Sequence, residues 1–388
     1  MTKKQAGFAT RSIHVGNEPD PSTGAVAPPI FATSTYAQEE LGKTKGYDYS
    51  RAGNPTRTRL EENLASLEGG VAARVFSSGM ASVAALGSLM KSGEHIVASN
   101  NLYGGVPRLF NQVLVNSGLE FTYVDTTDPR NVTKAIRKRT HYVYIETPTN
   151  PLMGLTDIAA VSEIAHKRGC QVVVDNTFMS PCFQQPIKFG ADIVLHSTTK
   201  FLNGHSDGIG GVLVCTTQDQ AEKLAFVQKA VGAILSPFEC WLVLRGVKTL
   251  TVRMKQHDAS GRVIADYLNT HRKVKKVFYP GLKNHPQYDL ACRQMSGFGS
   301  MITFETGSLA NAKKFLKRVR VCTLGESLGG VESLISHPAT MTHAAIGAKG
   351  RKEIGLTDGM VRISVGIEDV ADLRGDLEEA FAAAKRAS

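Results

Sequence analysis

No apolar run in this chain approaches the ~20 residues needed to cross a bilayer. The basic opening MTKKQAGFATRS lacks the apolar stretch of a secretory signal. Membrane insertion and export are not expected, and a cytoplasmic location is. No C-x-x-C pair occurs either: Cys170, Cys182, Cys215, Cys240, Cys292 and Cys322 are scattered, which suits neither a disulfide framework nor a zinc site. H-E-x-x-H and Cys/His ligand clusters are missing, so no metal is expected. Repeats and low-complexity tracts are absent as well.

What is present is the mixture of a globular protein: 388 residues, 42% hydrophobic and 21% charged, enough chain for two unequal domains. The formal net charge of +10 raises the question of nucleic acid. Its densest basic groups are RKRT (137–140), HRKVKK (271–276) and KKFLKRVR (313–320), of which the last two flank helix or strand segments and read as solvated faces. No nucleic-acid partner is expected; a positive field also suits a small anionic ligand.

From about residue 55 to 215, short apolar runs alternate with segments of three-to-four apolar spacing. The runs are 73–77, 95–99, 121–125, 142–146, 171–175, 192–197 and 211–215. Their continuity predicts strands covered by helices on both faces, hence an α/β domain with a doubly wound, mainly parallel sheet. The first 54 residues, rich in Gly, Pro, Ser and Thr, read as an extended arm. Residues 55–248 then form the main domain and 249–388 a smaller C-terminal α+β domain, with strands at 300–305 and 360–366.

Ligands in such sheets sit beyond the carboxyl ends of the strands, where several reactive side chains cluster. Lys200, in DIVLHSTTK, lies three residues past a strand; its amine could form a Schiff base, with Ser197 and Thr199 as phosphate donors, or be an ordinary loop lysine. Asp175, in VVVDNTF, could hold a protonated ring nitrogen or cap the next segment. In VFSSGM, Ser78, Gly79 and Met80 open a helix whose amides could bind an anion, although Ser78 could equally be a simple N-cap. Tyr103 could lay its ring on a planar cofactor or belong to the core. Arg362, on the apolar strand MVRISVG, needs a partner: a substrate carboxylate or a structural ion pair. Together these supply amine, carboxylate, phosphate cup, stacking ring and carboxylate clamp.

The segments YSRAGNPTR (49–57), SSGMAS (77–82), LYGG (102–105), ETPTNP (146–151), VDNTF (174–178), STTKFLNGHSD (197–207), ESLGGVESL (326–334), HPATMTHA (337–344) and RISVGIED (362–369) resemble the Cys/Met-metabolism family dependent on pyridoxal 5'-phosphate (PLP). The resemblance implies the type I PLP-dependent transferase fold, with Lys200 as Schiff-base lysine and proton shuttle and Asp175 as partner of the pyridine nitrogen. It implies Tyr103 on the ring, aiding proton transfer, and a phosphate held by Ser78, Gly79, Met80, Ser197 and Thr199. Tyr49 and Arg51 match residues that reach the neighbouring subunit's cofactor, so the arm would cross a dimer interface, and such dimers pair into homotetramers. Asn150, Ser327 and Arg362 match the site for the substrate carboxylate, and Glu326 beside Ser327 could hold a distal substrate ammonium by charge complementarity or, structurally, cap the Gly329–Gly330 turn. Gly105 stands where methionine γ-lyases carry cysteine, and Val106 where threonine is common. The implied activity is transsulfuration: γ-elimination on cystathionine, or alternatively γ-replacement joining an activated homoserine to cysteine. An aminotransferase and a catalytically silent scaffold are the other readings.

Overall fold

The computed structural model describes residues 6–344 and 347–383. Seven strands form the main sheet: β1 (Ala72–Phe76), β2 (His95–Ser99), β3 (Glu120–Val124), β4 (Thr140–Glu146), β5 (Gln171–Asp175), β6 (Ile193–Ser197) and β7 (Gly211–Cys215). Their spatial order is β1-β7-β6-β5-β4-β2-β3. β7 runs antiparallel to both neighbours, and the remaining pairs are parallel. Valines of β4, β5 and β6 are fully buried on two separate core clusters, one on each face, which is why these runs read as continuously apolar. The expected doubly wound sheet is therefore present.

Four helices matter for the site: α1 (Phe8–His14), α2 (Pro55–Glu68), α3 (Gly79–Ser88) and α4 (Gly105–Gln112). α2 starts with Asn54, whose side chain accepts from the Thr56 amide, and stops at Gly69, which takes the left-handed φ of 84°. Within the segment predicted as an extended arm, α1 is helical and docked on its own chain: Asn63 donates to the Val15 carbonyl at 2.8 Å. From Asp20 to Gly53 the chain runs without helix or named strand and leaves Val26 and Leu41 exposed.

After the helix Leu250–Thr270 comes a second sheet of five strands, in the order β10-β11-β12-β9-β8. These are β8 (Lys276–Phe278), β9 (Met301–Glu305), β10 (Thr323–Leu324), β11 (Leu334–Ser336) and β12 (Met360–Ser364), antiparallel except for β10 beside β11. Its packed helices include the terminal Val370–Ala383. Among the described residues, no helix is long and apolar enough to cross a membrane.

Candidate active site

A cavity of about 1060 Å³ lies at the carboxyl ends of β4, β5 and β6 and is closed on one side by the second sheet. One wall is the start of α3. Ser78 caps it, its hydroxyl accepting the Ala81 amide at 3.0 Å, so the Gly79 and Met80 amides have no intrahelical acceptor. Gly79 packs directly on the end of β6: a Cβ there would stand 3.3 Å from that of Ser197. The Ser78 hydroxyl is thus an N-cap that keeps its own O–H for donation, beside the Gly79 and Met80 amides that can face an anion.

The floor carries two carboxyls. Asp175 ends β5 and accepts the Thr177 amide at 3.0 Å. Burial raises its pKa, while Thr177 and the nearby His196 act in the opposite direction. Glu146 ends β4 directly opposite Asp175 in the parallel register and accepts the Tyr103 amide at 2.8 Å. Thr177 also receives the Ser197 amide at 2.9 Å, tying the β5 turn to β6. Beyond β6, the Thr199 hydroxyl accepts the Gly210 amide at 3.1 Å.

Lys200 points across the cavity and donates to the Ser327 hydroxyl at 2.7 Å. Burial, with the Arg362 charge adding to it, lowers its pKa from 10.5 to about 8. Arg362 itself is buried on β12 and donates to the Asn150 side-chain carbonyl and to the Ser327 carbonyl, each at 2.9 Å. Its Nε has no partner, and no carboxylate lies at ion-pair distance among the described residues. A structural ion pair therefore does not account for it; a buried guanidinium whose hydrogen-bond acceptors are neutral oxygens can receive an anion. Ser327 takes a left-handed φ of 86°, costly for a residue with a side chain, and in doing so turns its carbonyl to Arg362 and its hydroxyl to Lys200.

Every residue assigned from the sequence to cofactor or substrate lines this cavity except two. Tyr49 and Arg51 lie exposed on the arm, where the Arg51 guanidinium sits 5.5 Å over the Tyr49 ring and donates to the Lys229 carbonyl. Glu326 is exposed at the cavity edge and makes no hydrogen bond among the described residues; the Gly329 amide is instead bound by the Ser364 hydroxyl. The turn-capping alternative for Glu326 is thus not what the structure shows. Gly105 allows the Tyr103 ring and Met80 to approach, since a Cβ there would lie 2.6 Å from the ring. Val106 is buried in the wall. Sequence reasoning passed over Glu146, Thr177, Asp207, Glu239 and Thr342, which also line the cavity; Glu146 and Thr177 lie inside the motifs ETPTNP and VDNTF.

A reactive amine, a buried carboxylate, free helix-start amides and an unpaired guanidinium on one cavity fit a ligand with an aldehyde, a pyridine ring and a phosphate. Comparison with known proteins agrees. The chain is 50% identical over 372 residues to a cystathionine γ-lyase of Bacillus subtilis, covering 96% of this chain and 98% of that one. It is 48% identical to a cystathionine β-lyase of Lactococcus lactis, with the same coverage. It superposes with a TM-score of 0.96 on the crystal structure of cystathionine γ-lyase from Lactobacillus plantarum complexed with L-serine, at 45% identity, covering 98% and 100% of the two chains. The model of the Cys/Met metabolism PLP-dependent enzymes matches residues 9–382, and the chain belongs to that family of enzymes, with pyridoxal 5'-phosphate as its cofactor.

Proposed function

We propose that this enzyme is a cystathionine γ-lyase, converting cystathionine and water to cysteine, 2-oxobutyrate and ammonia. The observation that carries the reading is the Glu326 carboxylate, without an ion-pair partner among the described residues, at the edge of a cavity that also holds Lys200 and Arg362. Bound in the cavity, PLP supplies an aldehyde for the substrate amine and a sink for the electrons left behind when a carbon loses its proton.

On this reading Lys200 is the amine that anchors the cofactor and, once free, the base for both Cα and Cβ; a γ-leaving group departs only after both protons have gone. Asp175 keeps the ring nitrogen protonated through a charge-assisted bond. The Gly79 and Met80 amides, Ser197 and Thr199 hold the phosphate, and Tyr103 covers the ring. Arg362, with Asn150 and Ser327, clamps the substrate α-carboxylate, while Glu326 takes the distal ammonium and orients the Cγ–S bond. The γ-lyase relative, with 98% of its length covered, supports the reading. At Gly105 a side chain would displace the Tyr103 ring and Met80, which sets the site apart from one that carries cysteine there. Tyr49 and Arg51, exposed and outside the lining of their own cavity, support a site completed across a dimer; dimers of dimers are the assembly that the family resemblance implies.

Product analysis tests the activity. Cysteine and 2-oxobutyrate should dominate from cystathionine, and Glu326→Ala should impair this cleavage more than any side β-cleavage. Homocysteine and pyruvate as main products would refute the γ-assignment. Faster formation of cystathionine from acylated homoserine and cysteine than its cleavage would reassign the enzyme as a cystathionine γ-synthase.

A further inference from the structure

The Tyr103 ring has little of its own to hold it. It is 46% exposed, and its hydroxyl makes no hydrogen bond among the described residues. Its placement is inherited from its main chain, and that main chain is tied to the end of β4. The Tyr103 amide donates to Glu146 Oε2 at 2.8 Å, and two residues earlier Asn101 donates to the Thr149 hydroxyl at 3.2 Å. On the other side the Tyr103 carbonyl accepts the Val106 amide at 2.9 Å, joining the loop to α4.

Glu146 is almost fully buried, and no lysine or arginine lies at ion-pair distance among the described residues. Burial and the neighbouring Asp175 push its pKa well up; the Tyr103 and Asn150 amides and the Arg362 charge act the other way. Two carboxyls opposed on adjacent strand ends in a low-dielectric floor do not both ionise readily. Asp175 has the stronger claim to the negative charge, because a protonated ring nitrogen needs an anion. An amide donor, by contrast, also finds an acceptor in the carbonyl oxygen of a neutral acid.

We propose that Glu146 is a positioning residue: as an uncharged acid it ties the Tyr103 main chain to the end of β4 and thereby sets where the cofactor-covering ring lies. The inference rests on the reading of Tyr103 as that ring. It goes beyond that reading by assigning the ring's placement to a carboxyl 43 residues away.

The test uses the holoenzyme variants Glu146→Gln, Glu146→Leu and Tyr103→Ala, read by the visible circular dichroism of bound PLP and by PLP affinity. Glu146→Gln keeps an oxygen acceptor without charge and should retain the wild-type band and affinity. Glu146→Leu should lose most of the band, as Tyr103→Ala does, and bind PLP about tenfold more weakly. A folded Glu146→Gln variant that loses its band would overturn the neutral-acid assignment and decides the matter even where the leucine variant fails to fold. An unchanged leucine variant beside an altered Tyr103→Ala overturns the inference alone. An unchanged Tyr103→Ala overturns both it and the reading of Tyr103.

Discussion

At the scale of single residues, the site is an exercise in placing charge where water is scarce. Lys200 shows the consequence most directly. Its amine faces a hydroxyl and the Arg362 charge rather than a carboxylate contact, and burial lowers its pKa to about 8. A lowered lysine pKa means that the neutral, nucleophilic form is populated above about pH 8 instead of above 10.5. In PLP-free protein, acetylation of Lys200 followed by peptide mass spectrometry should therefore rise with pH to half-maximum near 8, well below the midpoint of exposed lysines. A midpoint shared with exposed lysines would show that burial does not tune this amine. Lys200, Asp175 and Arg362 were legible in the sequence because each is a polar residue in or just after an apolar strand, a place that demands a reason. Glu146 satisfied the same condition yet was passed over, because its partner is a main-chain amide 43 residues distant and no spacing rule reports such a contact.

At the scale of elements, α3 links fold and site. In the structure the Ser78 hydroxyl accepts the Ala81 amide, and the Gly79 and Met80 amides have no intrahelical acceptor. Ser78→Ala should accordingly act first on stability, costing about 1 kcal/mol, whereas Ser78→Asn, which retains the cap, should cost little. Thermal unfolding of the PLP-free protein checks this; equal midpoints for wild type and Ser78→Ala would mean that the cap is unimportant. The seven strands of the main sheet were legible to within about two residues, since burial on both faces makes each a continuous apolar run. β8, β10 and β11 were not, being two or three residues long, too short for any periodicity to register. α1 was hidden for a different reason: it is seven residues of mixed polarity held by tertiary contacts such as that of Asn63 with Val15. Of the basic groups read as solvated faces, Lys313 and Lys314 lie exposed, whereas in 271–276 Arg272, Lys275 and Lys276 are exposed and His271 and Lys273 are half-buried.

At the scale of the whole molecule, the arm is the part that a single chain leaves unexplained. Tyr49 and Arg51 sit in a segment with exposed apolar side chains and do not line the cavity of their own chain, and among the described residues the Arg51 guanidinium meets the Lys229 carbonyl and the Tyr49 ring. Apolar side chains such as Val26 and Leu41 gain from being covered, and a symmetric pair of chains would cover both arms at once while delivering Arg51 to the neighbour's phosphate end. Two-fold symmetry makes this testable without a structure of the complex. Lys200→Ala and Arg51→Ala should each be close to inactive as pure oligomers. In a mixed dimer one of the two sites contains both altered residues and the other contains neither, so the second works. Unfolding and refolding the two variants together at equal amounts should yield half of the dimers as hybrids, each with one intact site, and recover about a quarter of wild-type activity. Mass spectrometry of differently tagged chains establishes that hybrids formed. Hybrids as inactive as either parent would place Arg51 in the site of its own chain or outside the site altogether.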